Sequence, residues 1–281
     1  GAGSSMADYK IGFKWWALII AVVFVISELV CVVCVPERPV ACDEKPGKIS
    51  DMFKALFKND QAMTVVVSII LVYTSLNICG NLVLYFFRFD VGNEGAYSIF
   101  AAVAFAAQVL VMMVIPLLRK RFSKSQLFIS GFIIQISGFG VILIMAFAKL
   151  YTPQSWYILC LPGILIYLGY GMLNVIMTIF LSDSVDYGEV MNGTREESVI
   201  FSMQTFTVKL ASGVAVFLAG LVVDWIHLDT AAAVQTQDTL DALRMWMTIP
   251  SVILLIVGIF VFKRFYKLDD TRMEEIKSKL N

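Results

Sequence analysis

An all-α, polytopic membrane protein is what this sequence predicts, on three grounds: apolar richness, block length and continuity of the blocks. Of the 281 residues, 59% are hydrophobic and 16% charged, against about a quarter charged in an ordinary soluble domain, and the mean hydropathy is +0.80. The apolar residues fall into blocks of the length, about twenty residues, that crosses a hydrocarbon core of about 30 Å as a helix. The blocks are continuous and lack the alternation of lipid-facing barrel strands.

Taken in order, the blocks place seven spans at 13–35, 61–87, 96–118, 127–148, 156–181, 199–226 and 245–265. The first outruns a signal-peptide core and six more follow, so it is read as a retained span. Residues 1–12 precede it and a polar connection, 36–60, follows it. In the second half of that connection Ile49, Met52, Phe53, Leu56 and Phe57 recur at helical spacing among Lys48, Lys54 and Lys58. That is the pattern of a short amphipathic helix lying on a membrane surface. Residues 61–267 then group as one six-helix bundle, with a tail at 268–281. One helix, a linker and six helices is the arrangement expected of helix six plus the C-terminal bundle of a twelve-helix transporter. On that reading the chain is partnered by an N-terminal half that it lacks, and residues 1–12 belong to an external loop of a longer parent.

Charge sets the orientation. Sixteen of the 22 lysines and arginines fall on one set of connections: Arg38, Lys45, Lys48, Lys54, Lys58, Arg119, Lys120, Arg121, Lys124, Arg195, Lys263, Arg264, Lys267, Arg272, Lys277 and Lys279. The other set holds five: Lys10, Lys14, Arg88, Lys149 and Arg244. Basic connections face the cytoplasm, so the N-terminus is read as outside and the C-terminus as cytoplasmic, in the plasma membrane. With a formal net charge of zero and no long basic tract, nothing points to nucleic acid. Cys31, Cys34, Cys79 and Cys160 lie within spans and Cys42 in a connection, which is no disulfide framework. The single histidine, His227, stands at a span end and can build neither a histidine metal site nor a catalytic triad. The chain is therefore not read as an enzyme, and no cofactor is expected.

Polar groups inside the spans are the candidate functional residues, because hydrocarbon leaves them unsatisfied unless they face protein or water. Tyr73, Asn77 and Asn81 follow at four-residue steps and so share one helix face; cavity lining and interhelical hydrogen bonding both fit. Pro162, Gly163, Gly169, Gly171 and Asn174 suit either close helix approach or a bend. Glu28 is an intramembrane acid to which no role is assigned. Lys209 is the single cation inside a span. Eleven residues beyond Ser198 it lies about 16 Å into the membrane, where an unpaired lysine costs at least about 2.5 to 3.5 kcal/mol. Ser198, Ser202, Thr205, Ser212 and Gly213 share its face, so a polar stripe runs to mid-membrane.

The 27-residue run 183–209, DSVDYGE followed by Arg195, Glu197 and then SMQTFTVK, resembles the signature of the melibiose-carrier family. These are the glycoside-pentoside-hexuronide:cation symporters of the major facilitator superfamily. There an acidic loop joins helices ten and eleven, and an intramembrane lysine follows on helix eleven. The resemblance implies a sugar or glycoside substrate and a coupling cation, Na⁺ or H⁺, whose site lies mostly in the absent half. It further implies that Asp183, Asp186 and Arg195 help close the cytoplasmic side, with the basic loop residues Arg119 and Arg121 read as contributors to the same gate. It places Thr205 and Lys209 near the sugar and cation region, where the stripe Tyr73, Asn77 and Asn81 is also assigned. The chain alone is not expected to be a competent symporter. The alternatives are a lysophospholipid or other small-solute carrier of the same fold and a non-transporting sensor or assembly partner.

Overall fold

The structure is a computed structural model that describes residues 6–34, 57–193, 197–232 and 234–280. The regular elements among them are helices, seven of which are long and apolar enough to cross a membrane. The chain divides into two compact units, 1–47 and 48–281. The first contains α1, Met6–Cys34, whose described side chains are exposed and which carries Glu28. Helix therefore begins within the stretch 1–12 that was read as a segment ahead of the span. The amphipathic helix expected in the connection 36–60 falls almost wholly outside the described residues; Phe57 and Lys58 are helical.

The second unit holds α2 (Asp60–Tyr85), α3 (Ala96–Leu118), α4 (Lys124–Phe147), α5 (Cys160–Asn192), α6 (Glu197–Trp225), α7 (Gln237–Phe265) and α8 (Asp270–Leu280). Their ends are set by local chemistry. The Asn59 side chain accepts from the Ala62 N–H at 2.9 Å and Asp60 occupies the first turn of α2, which suits the positive end of the helix dipole. Ser123 and Gln126 cap each other's backbone groups to start α4. Thr236 caps α7, which carries Asp238 in its first turn and Lys263 and Arg264 in its last. Gly193, at φ +74°, closes α5 in the left-handed conformation and donates to Glu189 O at 2.9 Å.

Those caps displace several boundaries expected from hydropathy. α5 runs eleven residues past 181, so the acidic DSVDYGE passage is helix rather than loop. α7 starts eight residues before 245 and α4 three before 127. In each case the helix outlasts the apolar block, because charged residues beyond the membrane can continue the hydrogen-bond ladder. The tail at 268–281 is also more than a tail: α8 folds back, and Leu268, Met273 and Ile276 are buried against Tyr187, Val190 and Tyr266.

Within the bundle α2 packs on α5, α6 and α7, while α4 packs on α5 and α7 and α3 packs on α5. The α4–α5 contact depends on glycine. A Cβ on Gly169 would lie 2.6 Å from Gln135 N and Gly131 O, and one on Gly138 would lie 2.7 Å from Ile166 N. Apolar tails offer no hydrophobic gain for helix association, so this backbone proximity supplies the van der Waals contact instead. Of the two uses open to the glycines of this span, close approach is the one seen at Gly169, in a helix that is continuous from Cys160 to Asn192. Gly169→Leu is expected to cost at least the about 1 to 3 kcal/mol typical of overpacking, read as a lower thermal midpoint in detergent, whereas Gly213→Ala, with nothing within 4 Å of its Cβ, should leave that midpoint unchanged.

Candidate functional site

Three polar regions sit at different levels of the bundle. At the middle, the Tyr73 hydroxyl accepts from Asn174 Nδ2 of α5 at 2.5 Å, and its ring meets Tyr170 edge-on at 5.5 Å. Asn77 Nδ2 donates to Tyr73 O and Asn81 Nδ2 to Asn77 O, each at 2.7 Å. Both asparagines thus turn a donor back onto their own helix, and the cross-helix bond on this stripe belongs to Tyr73. On α6, the buried face is Ile200, Thr207, Ala211, Ala215, Ala219 and Val222. The opposite face carries Thr205, bonded to Phe201 O at 3.3 Å, and Lys209. Lys209 is exposed near the centre of the 29-residue helix. No carboxylate among the described residues of the bundle lies within ion-pair distance of it.

At the end bearing the basic α3–α4 connection, Asp183 of α5 is buried and ion-paired to Lys124, the first residue of α4; each side chain is 7% exposed. Lys124 also lies 3.4 Å from Asp270 of α8, which Arg119 reaches at 3.7 Å. A chain of alternating charges therefore joins the ends of α3, α4, α5 and α8. The Tyr266 hydroxyl is buried beside it, pushed above its ordinary range by burial and, less strongly, by Asp183 and Asp270. Asn59 Nδ2 adds a bond to Ser184 O at 2.8 Å. Of the residues assigned to a gate, Asp183 and Arg119 come together in this cluster. Asp186 is half-buried one turn further along α5. Arg121 is exposed in a cleft of about 470 Å³ that Arg119, Lys124 and Asp270 also line. Arg195 lies outside the described residues.

The third cluster, at the opposite end, was not foreseen. α2 finishes in one wide π turn, Phe86–Asp90, which delivers Asp90 to Arg244 of α7. Arg244 donates from Nε to Oδ2 at 2.8 Å and from Nη2 to Oδ1 at 2.5 Å, with side chains 3% and 4% exposed for Arg244 and Asp90. Tyr151 donates to Asp90 at 2.6 Å and Asp241 receives the remaining Arg244 nitrogen at 2.7 Å. Burial, aided by Asp90, pushes the Tyr151 hydroxyl above its ordinary range. Arg244 was counted as a loop cation from the sequence; its partner lies 154 positions away.

The family model described as "MFS/sugar transport protein" matches residues 4–270. The chain belongs to this family. Its members are transporters, not enzymes, in agreement with the resemblance carried by residues 183–209. The chain is 25% identical over 272 residues to the isoprimeverose transporter of Lactiplantibacillus pentosus, covering 96% of this chain and 54% of that protein. It is 23% identical over 276 residues to the raffinose carrier protein of Pediococcus pentosaceus, covering 96% and 42%. To a lactose permease of Lactobacillus delbrueckii subsp. bulgaricus it is 24% identical over 278 residues, covering 96% and 43%. The chain thus spans about half the length of these relatives.

Removing one member of a buried ion pair strands the other. Lys124→Met should therefore destabilise the protein by about 3 to 5 kcal/mol, while Lys124→Met combined with Asp183→Leu should recover much of that loss. Thermal midpoints of the two variants in the same detergent check the expectation.

Proposed function

We propose that this chain serves as the C-terminal part of a secondary transporter that carries a sugar or glycoside by symport with Na⁺ or H⁺. The observation that carries the reading is Lys209: a mid-span lysine, exposed and without an ion-pair partner among the described residues of its bundle, in a chain of a sugar-transport family. Because an unpaired cation at that depth is costly, the face bearing Thr205 and Lys209 is assigned to a cavity against a second bundle. Carboxylates there would complement the ammonium. The names of the relatives, raffinose carrier, isoprimeverose transporter and lactose permease, support a glycoside as cargo. In this reading transport needs both bundles, the one described and the one that faces Lys209.

In this mechanism the Lys209 ammonium competes with the coupling cation for carboxylates of the opposing bundle. Cation binding releases Lys209 to donate to substrate hydroxyls, and cation release lets the charge pair reform and favours the empty state. Tyr73, Asn77 and Asn81 line the α2 wall of the same cavity. The end bearing Arg119 to Lys124 is cytoplasmic by its positive charge, which puts the N-terminus outside and the Asp183–Lys124–Asp270–Arg119 cluster at the inner gate. Alternating access then requires the bundle to tilt as one body, α5 included, with Asp186, Arg121 and Arg195 contributing contacts to the opposing bundle.

Sugar uptake into vesicles containing the complete carrier, with Na⁺ varied at fixed pH, tests the reading. Lys209→Ala should lower cation-driven uptake by more than about tenfold, equivalent to 1.4 kcal/mol, with Lys209→Arg retaining part of it. Uptake by Lys209→Ala at the unmodified rate and with the same cation dependence would remove Lys209 from the mechanism.

A further inference from the structure

Between the halves of α2 and α6 remote from the basic end lies a cleft of about 530 Å³, within the range of about 300 to 1,000 Å³ usual for small-molecule sites. Asn81, Tyr85, Phe217, Gly220 and Asp224 contribute to its walls. Asn81 and Tyr85 continue the four-residue ladder that begins at Tyr73 and Asn77, so they stand on the same face of α2. On α6 the steps from Lys209 through Gly213, Val216 and Gly220 to Asp224 are three or four residues, so the cleft also lies on the face that bears Lys209. It is the outward continuation of both polar stripes.

Its polar groups are open to a ligand. Asn81 uses its Nδ2 on Asn77 O, which leaves its side-chain oxygen as an acceptor. Among the described residues neither the Tyr85 hydroxyl nor the Asp224 carboxylate has a hydrogen-bond or ion-pair partner. Floor space is real as well: a Cβ on Gly220 would meet nothing within 4 Å. A carboxylate and an amide oxygen accept from hydroxyl groups, the charged acceptor more strongly, and the Tyr85 and Phe217 rings offer apolar faces to the C–H side of a pyranose. One carboxylate with no convergent partners is a poor cation cage, and the same carboxylate disfavours an anionic ligand.

We propose that this cleft is an outer docking subsite for a neutral glycoside. It rests on the sugar-transport reading and orientation given above. Gly220 is eleven residues, about 16 Å, and Asp224 fifteen residues, about 22 Å, along α6 from Lys209, too far for one sugar ring to contact both levels. The cleft therefore acts before the central site: it captures sugar from outside and raises its local supply to the cavity, and it takes no part in the conformational step.

In right-side-out vesicles carrying the complete carrier, Gly220→Trp, which fills the cleft, and Asp224→Ala should each raise the KM for external glycoside about fivefold or more with the maximal rate within about twofold, the signature of lost uniform binding. A membrane-impermeant maleimide should label Gly220→Cys above the background of the unsubstituted carrier, and saturating glycoside should protect it; this reading does not require the tryptophan variant to fold. Normal uptake with KM unchanged in both variants, or labelling that glycoside leaves unaltered, overturns the subsite alone. Absence of sugar uptake by the unmodified carrier overturns the transport reading and the subsite with it.

Discussion

A charge in hydrocarbon must be matched, and the bundle is organised around where it meets that requirement within itself and where it does not. At one end Asp90 and Arg244 close a bidentate pair that Tyr151 and Asp241 complete. At the other, Lys124 neutralises Asp183 under cover of α8. Both clusters join helices of the same bundle, α2 to α7 and α4 to α5, so both hold it as one body. Lys209, midway between those levels, has no such match among the described residues. The described bundle is thus a rigid body with matched charges at both ends and an exposed cation at its middle.

Rigidity has a second source in the α4–α5 seam. Backbones that approach within the reach of a missing Cβ at Gly138 and Gly169 cannot slide past one another without losing contact over their whole length. The aromatic stack of Phe128, Phe180, Phe262 and Tyr266, with centroids 4.4 to 5.2 Å apart in its successive pairs, locks α4, α5 and α7 near the basic end. The charge cluster of Lys124 and Asp183 sits directly on this packed region, which keeps water from it and strengthens the pair.

The spans and the lone lysine were legible in the sequence because both are local signals: a twenty-residue apolar block announces a helix, and one cation inside such a block announces itself. Helix ends were less so. Hydropathy marks where the membrane stops, whereas α5 stops at Gly193 and α7 starts at Thr236 because of caps. The pairings were not legible at all. Asp183 finds Lys124 across 59 positions and Asp90 finds Arg244 across 154, and the cluster Arg119, Lys120, Arg121 and Lys124 offers four cations with nothing in the letters to choose among them. Register between helices decides, and only the packed structure has it.

One consequence follows from the length of α5. Its 33 unbroken residues make a rod of about 50 Å, longer than a bilayer core is thick, and its contacts divide it into arms. Asn174 touches the central stripe through Tyr73, and Val190, sixteen residues and about 24 Å further on, supports α8. Because α5 is packed into one body with α4 and α7, a tilt of that body by about 10° about the level of Asn174 displaces the far end by about 4 Å, more than the reach of a hydrogen bond. α5 is in this sense the spoke of the whole bundle: a small rotation about the central stripe becomes a displacement at its far end, where Asp183, Asp186 and the seat of α8 travel with it.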